Sequence, residues 1–227
     1  CTLLLLLILY PLWFIVIASF SDPSAVAGGH VWLLPVGFTL DGYEELLKQA
    51  NVWIGYRNTI AYTLVGTLIA LAVNIPAAYA LSRRDLWGQR ALMGLYVFTM
   101  FFSGGLIPLY LQVKNLGLYN SPLAMIIPSA VSIYNVLILR SFFMYGVPKS
   151  LEEAALLDGA NTAQMLWHVI LPLVKPTLAV LVLYYAIGHW NDYFSALIFL
   201  KDKELMPLQT ILRDVLITGK IDMASSG

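Results

Sequence analysis

Residues Glu153–Pro172 read EAALLDGANTAQMLWHVILP, and in this stretch charged, amide and helix-breaking residues recur at spacings with physical meaning. Glu153 stands beside two small residues, Ala154 and Ala155, and two bulky ones, Leu156 and Leu157. Such a set suits docking by close approach and apolar fill rather than bond-breaking chemistry. Ser150 precedes Glu153 by three residues, the spacing of a capping box, which predicts a helix from Leu151. Asp158-Gly159 ends that helix, because glycine accepts the positive φ that a side chain resists. Asn161 and Gln164 repeat the capping spacing for a second short helix. The expected product is a polar elbow within a loop at about 144–175, far longer than the usual connection of about 4–6 residues. Its apolar residues cannot all face their own loop, so a partner is expected to cover them.

A second group, Trp190-Asn191-Asp192-Tyr193, falls within an apolar run. An ionisable residue inside a membrane segment is by default a functional candidate, and an aromatic face beside an amide suits stacking on a sugar and binding its hydroxyls. Two readings stay open: Trp190, Asn191 and Asp192 line a path, or Trp190 and Tyr193 are interfacial anchors of an aromatic belt. Gly104 and Gly105, with Ser103 and Pro108 beside them, predict a broken helix in another run, either for gating or for close helix packing. His30 and His189 lack metal-ligand spacing, and His168 and Arg140 read as loop or helix-end residues, so no catalytic or metal residue is expected. The sequence carries no G-x-x-x-x-G-K-[ST] loop, G-x-S-x-G elbow or H-E-x-x-H helix, which argues against P-loop nucleotide binding and against a membrane hydrolase or metalloprotease.

The elements that position these groups belong in a bilayer. Of 227 residues 59% are hydrophobic and 11% charged, against about 25% charged in an ordinary soluble domain. The formal charge is zero, which removes the electrostatic case for nucleic acid. A helix crossing about 30 Å of hydrocarbon needs about 20 apolar residues, and five such runs appear: Thr2–Phe20, Asn58–Leu81, Ala91–Leu111, Pro122–Phe143 and Pro176–Leu200. The residues after Lys201 read as an extracellular loop with an amphipathic stretch around Leu208 to Ile217. Cys1, the only cysteine, leads into a leucine run that reads as a helix entered midway. Raw Lys/Arg counts do not orient the spans, but the three arginines crowded into Ser82–Arg90 favour that loop as cytoplasmic.

The elbow resembles the signature of the inner-membrane permease subunits of bacterial ABC importers: E-A-A, three residues, G, nine residues, I, one residue, L-P. Here Glu153-Ala154-Ala155, Gly159, Val169 and Leu171-Pro172 occupy those places, with Val for Ile the one departure. IPLYLQVKNLGLYN before it and WNDYF after it are similar to the second, maltose-type permease of carbohydrate importers, including aldouronate-oligosaccharide systems, and the likeness runs over essentially the whole chain. The resemblance implies an all-α polytopic transmembrane bundle of six spans, of which five are present and the sixth is missing. Residues 1–227 are then a single permease domain truncated at both ends, in a bacterial inner membrane. It implies that Glu153, Ala154, Ala155, Leu156, Leu157, Gly159, Leu171 and Pro172 couple to a cytoplasmic ATPase, with Glu153 paired to one of its basic residues. It also implies a sister permease, two ATPase subunits that bind ATP and magnesium in this chain's stead, an extracellular solute-binding protein and a carbohydrate substrate moved by alternating access. The rivals are an ion-coupled secondary transporter, which needs intramembrane acid/base residues and has only Asp192 deep in a span, and a membrane enzyme, which lacks its catalytic constellation.

Overall fold

The structure is a computed structural model that describes the backbone of residues 2–83 and 85–225, and among these there are helices and no strands. The chain divides into two compact units, Cys1–Trp53 and Ile54–Gly227. In the first, α1 (Thr2–Ser19) is followed by α2 (Pro23–Ala27) and α3 (Asp41–Lys48). The Asp22 carboxylate caps α2 by accepting from the Ser24 N–H at 2.7 Å, and this with the Ser24 hydroxyl holds the carboxyl below its ordinary pKa. Trp13 donates its indole N–H to the Leu33 carbonyl at 3.0 Å. That bond satisfies the polar edge of an otherwise apolar helix face.

The second unit is built around α4 (Ala50–Ser82), the one described helix long and apolar enough to cross a bilayer unaided. It begins eight residues before the expected Asn58. The third run is broken, as its glycines predict. It divides into α5 (Gln89–Phe101) and α6 (Leu106–Asn115), which meet at 114°. The fourth divides into α7 (Leu123–Ile126) and α8 (Ile133–Tyr145). The elbow follows as α9 (Lys149–Leu157), α10 (Thr162–Gln164), a π-helical turn over Met165–Ile170 and α11 (Leu171–Leu173). The fifth run becomes α12 (Lys175–Trp190) and α13 (Phe194–Phe199), and the chain closes with α14 (Leu208–Ser225). Counting apolar residues registers hydrophobic length but not backbone continuity, and Gly, Pro and Asn interrupt the latter without lowering the former. The expected amphipathic stretch around Leu208 to Ile217 falls in the first part of an 18-residue helix.

The break between α5 and α6 has a local backbone cause, and close packing against this chain, one of the two readings left open, is not part of it. Gly105 sits at φ 85°, ψ −178°, a region essentially confined to glycine, yet a Cβ there would meet nothing within 4 Å. At Gly104 a Cβ would lie 3.5 Å from the Pro108 side chain, an ordinary contact. Gly105→Ala is therefore expected to destabilise the assembled transporter by about 1–3 kcal/mol through backbone strain. Gly104→Ala should be within about 0.5 kcal/mol of wild type. Thermal unfolding in detergent measures both, and equal melting of the two variants refutes the distinction.

The main core joins α4 (Ala70, Ala78, Tyr79), α8 (Val136, Leu139, Phe143), the elbow (Met165, Leu166, Ile170, Leu171) and α12 (Leu181, Tyr185). The elbow's second arm is thus part of the core rather than a surface loop. Asn74, buried in the last third of α4, donates its amide to the Ala130 carbonyl at 2.6 Å and accepts from the Ser132 N–H at 3.3 Å. These are backbone groups released where α7 gives way to α8, so α4 satisfies the break next to it. Toward the other end of α4, Asn58 donates to the carbonyls of Glu204 and Met206 at 2.7 and 3.1 Å, and Tyr62 donates to that of Leu205 at 2.8 Å. Asn120, in αL at φ 57°, receives the N–H groups of Lys201 and Asp202 at 2.9 and 3.0 Å.

Candidate functional site

The elbow is two arms of different character joined at Gly159. The first, α9, does not start as expected: Pro148 precedes it in extended backbone, and neither Ser150 nor Glu153 makes the anticipated capping bond. Pro148 sets the entry geometry, with φ fixed at −62°, so helix begins at Lys149 and carries Ser150 past the cap position. The far end follows the expectation. Gly159 lies at φ 78°, with its N–H on the Leu156 carbonyl at 3.0 Å and the Ala160 N–H on that of Ala155 at 2.9 Å. This paired pattern is the Schellman closure of a helix. The capping box of the second arm is present in both directions, Gln164 N–H to the Asn161 side chain and Asn161 N–H to the Gln164 side chain, each 2.9 Å.

Packing separates the residues of the site by role. Leu157 is 90% exposed and Leu156 54% exposed, and Glu153 and Ala154 share the exposed surface. Among the described residues Glu153 has no ion pair. Ala155 turns inward onto the core, and Leu171, 7% exposed, lies within it. Leu171 therefore seats the elbow instead of presenting itself to a partner, while Pro172 stands exposed beside it in the first turn of α11. The second arm meets α12 at 87° after Val174, so the elbow runs across the end of that helix. His168 is exposed on the π-helical turn, beside Asp158, Gly159 and Gln164 in an open cleft.

The pairings at this end escaped the sequence reading. Arg83 reaches Glu152 of α9 at 3.5 Å and Asp85 at 3.0 Å, and Arg140 donates to the Leu81 carbonyl at 2.9 Å. The Asp85 side chain raises the Arg83 pKa above its ordinary value, and the same bond lowers that of Asp85. Arg83 and Arg140 thus gather at the elbow's end of the molecule, as expected from the crowded arginine loop. No short spacing links Arg83 to Glu152, so the pairing had no local signal. Asn74 did leave one: an amide set among apolar residues in the later part of a long helix.

The second expected group lies at a helix break. Trp190 ends α12, Asn191 returns its amide to the Ile187 carbonyl at 3.0 Å, and Asp192 accepts from the Ser195 N–H at 3.1 Å, capping the start of α13. Neighbouring His189 is buried on Gly66, where a Cβ would come within 2.5 Å of its Nε2. The carboxylate of Asp192 has a structural task, and Gly104 and Gly105 lie at a different break.

The comparisons with known proteins agree with this geometry. Residues 52–224 match the family model described as binding-protein-dependent transport system inner membrane component. The chain is 38% identical over 214 residues to the polygalacturonan/rhamnogalacturonan transport system permease protein of Bacillus subtilis, covering 94% of this chain and 74% of that one. It is 37% identical over 211 residues to protein LplC of the same organism, covering 93% and 71%. A crystal structure of a bacterial ABC transporter involved in the import of the acidic polysaccharide alginate superposes with a TM-score of 0.91 at 39% identity, over 94% of this chain and 76% of that chain. A chain with this elbow, these apolar helices and these relatives belongs to the binding-protein-dependent inner membrane component family, the permease subunits of ABC transporters.

Proposed function

We propose that this permease carries carbohydrate, in oligomeric form, inward across the bacterial cell membrane, working with a sister permease, two ATPase subunits that bind ATP and magnesium, and an extracellular solute-binding protein. The relatives named for polygalacturonan/rhamnogalacturonan transport and for alginate import support the substrate class. The observation that carries the coupling role is the exposure of Leu156 and Leu157 on an arm that meets the core only through Ala155. ATP-driven closure of the ATPase dimer draws the elbows together, turns the spans and opens the path outward, and hydrolysis resets it. The relatives are named as permeases of sugar transport and of an ABC transporter, and none of those named supports the ion-coupled alternative.

Leu157→Asp tests this reading at little cost to the fold, since the side chain it replaces touches mostly solvent. Burying a leucine contributes about 1.5–3 kcal/mol, so ATPase affinity is expected to fall by about 10- to 100-fold while permease abundance in the membrane stays at wild type. Co-purification of the ATPase with the variant measures it, and undiminished retention rejects the docking face.

A further inference from the structure

α9 is fixed less firmly than the arm that follows it. The second arm is anchored by Met165, Leu166 and Ile170 in the core, whereas α9 contributes only the partly buried Ala155. Among the described residues Glu152 is the one α9 side chain with a polar tie beyond the elbow, and that tie is Arg83. The guanidinium is held in place for it. Its Nε and Nη2 are taken by the two oxygens of Asp85 at 3.0 and 3.1 Å, which leaves Nη1 to reach Glu152. A planar fork bound at two points directs its remaining N–H groups. Its carbon lies 6.0 Å from the ring centre of Tyr79, itself packed edge-on against Phe143. The Leu81 carbonyl, two residues before Arg83, receives both Gln89 at 2.8 Å and Arg140 at 2.9 Å. Arg83 is therefore held by Asp85 in the loop after α4, next to where α8 reaches the end of α4 through Arg140, beside a cleft of about 280 Å³ that Glu152 and Lys149 also line.

We propose that Arg83 is a positioning residue for transport, a strut that passes displacement of α9 to the end of α4 through Glu152. The proposal rests on the elbow being the ATPase-docking element. α9 is joined to α8 by the short segment 146–148, and its displacement reaches α4 only if something ties the two. Glu152 supplies that tie. It acts on the helix whose far portion holds residues 204–206 through Asn58 and Tyr62.

A charge-exchange cycle in the complete transporter, reconstituted in liposomes, tests it by the ratio of sugar taken up to ATP hydrolysed. Arg83→Glu and Glu152→Arg should each lower that ratio by about 3- to 10-fold with the ATPase still bound. The double exchange should recover at least half of the loss, because the guanidinium introduced on α9 then faces two carboxylates, the exchanged one and that of Asp85. Glu152→Gln, nearly isosteric, gives the same reading should Arg83→Glu fail to assemble. Asp85→Asn should cause a smaller drop, because it loosens the fork without removing the tie. A wild-type ratio in both Glu152 variants overturns the strut, as does a double exchange no better coupled than the single ones. Loss of ATPase binding in the single variants overturns it too, since the pair would then serve docking instead. Failure of the elbow reading shows separately, as retained ATPase in Leu157→Asp.

Discussion

Gly159→Val is expected to insert into the membrane at wild-type abundance while sugar-driven ATP hydrolysis and uptake come apart. A Cβ at Gly159 would meet nothing within 4 Å, so the cost is not steric crowding. It is the φ of 78°, which a β-branched residue resists at a cost of order 1–3 kcal/mol. The backbone escapes by leaving αL, and the bonds from Gly159 to Leu156 and from Ala160 to Ala155 go with it. These bonds fix the direction in which α9 leaves the capping box at Asn161, and hence where Leu156 and Leu157 point. The apolar helices are untouched, so insertion is preserved. Gly159→Asn supplies the control, because asparagine tolerates αL and should couple nearly normally. Glu153→Ala should be milder than Gly159→Val, as it removes one charge that makes no ion pair among the described residues. Reconstitution with ATPase retention, hydrolysis and uptake measured together decides the matter. Wild-type coupling in Gly159→Val would remove this elbow from the transmission path.

What was legible in the sequence was local. Asn161 and Gln164 form their box because both partners lie within one turn, and Gly159 takes its positive φ because the chain must reverse there. The capping box at Ser150 and Glu153 failed by one feature of the same scale: Pro148 starts the helix early and moves Ser150 inside it. Hydropathy located the apolar runs but not their breaks, since Gly105 and Asn191 interrupt helices without making the runs polar. Pairings across the chain left no spacing to read. Glu152 and Arg83 are 69 positions apart, and Asn120 meets residues 201 and 202 from more than eighty positions away. Asp192 carries both signals: an acid in an apolar run invites a functional reading, and the bond from the Ser195 N–H adds a local structural task that the sequence did not show.

Asn74→Leu should do the most damage to the folded protein, although leucine is more apolar and fits the composition of α4 better. The substitution leaves the Ala130 carbonyl and the Ser132 N–H without the partner they have in the wild type. Each such orphaned group costs about 1–3 kcal/mol when buried, and water cannot readily replace a bond within the hydrocarbon region. With Asn74 only 3% exposed, the larger branched side chain must also be fitted between α4 and the segment joining α7 to α8. The combined loss is expected at about 2–6 kcal/mol, a large part of the stability of a single domain, and should appear as several-fold lower abundance and a depressed melting temperature of the assembled transporter. Asn74→Gln keeps the amide but lengthens the reach, so partial recovery is expected. Asn74→Asp keeps the acceptor for Ser132 but loses the donor to Ala130, and should fall closer to leucine than to wild type. Melting of the purified complex in detergent, with abundance measured in the same membranes, ranks the three. If Asn74→Leu melts with the wild type, the α7–α8 break is satisfied by other groups and α4 does not support it.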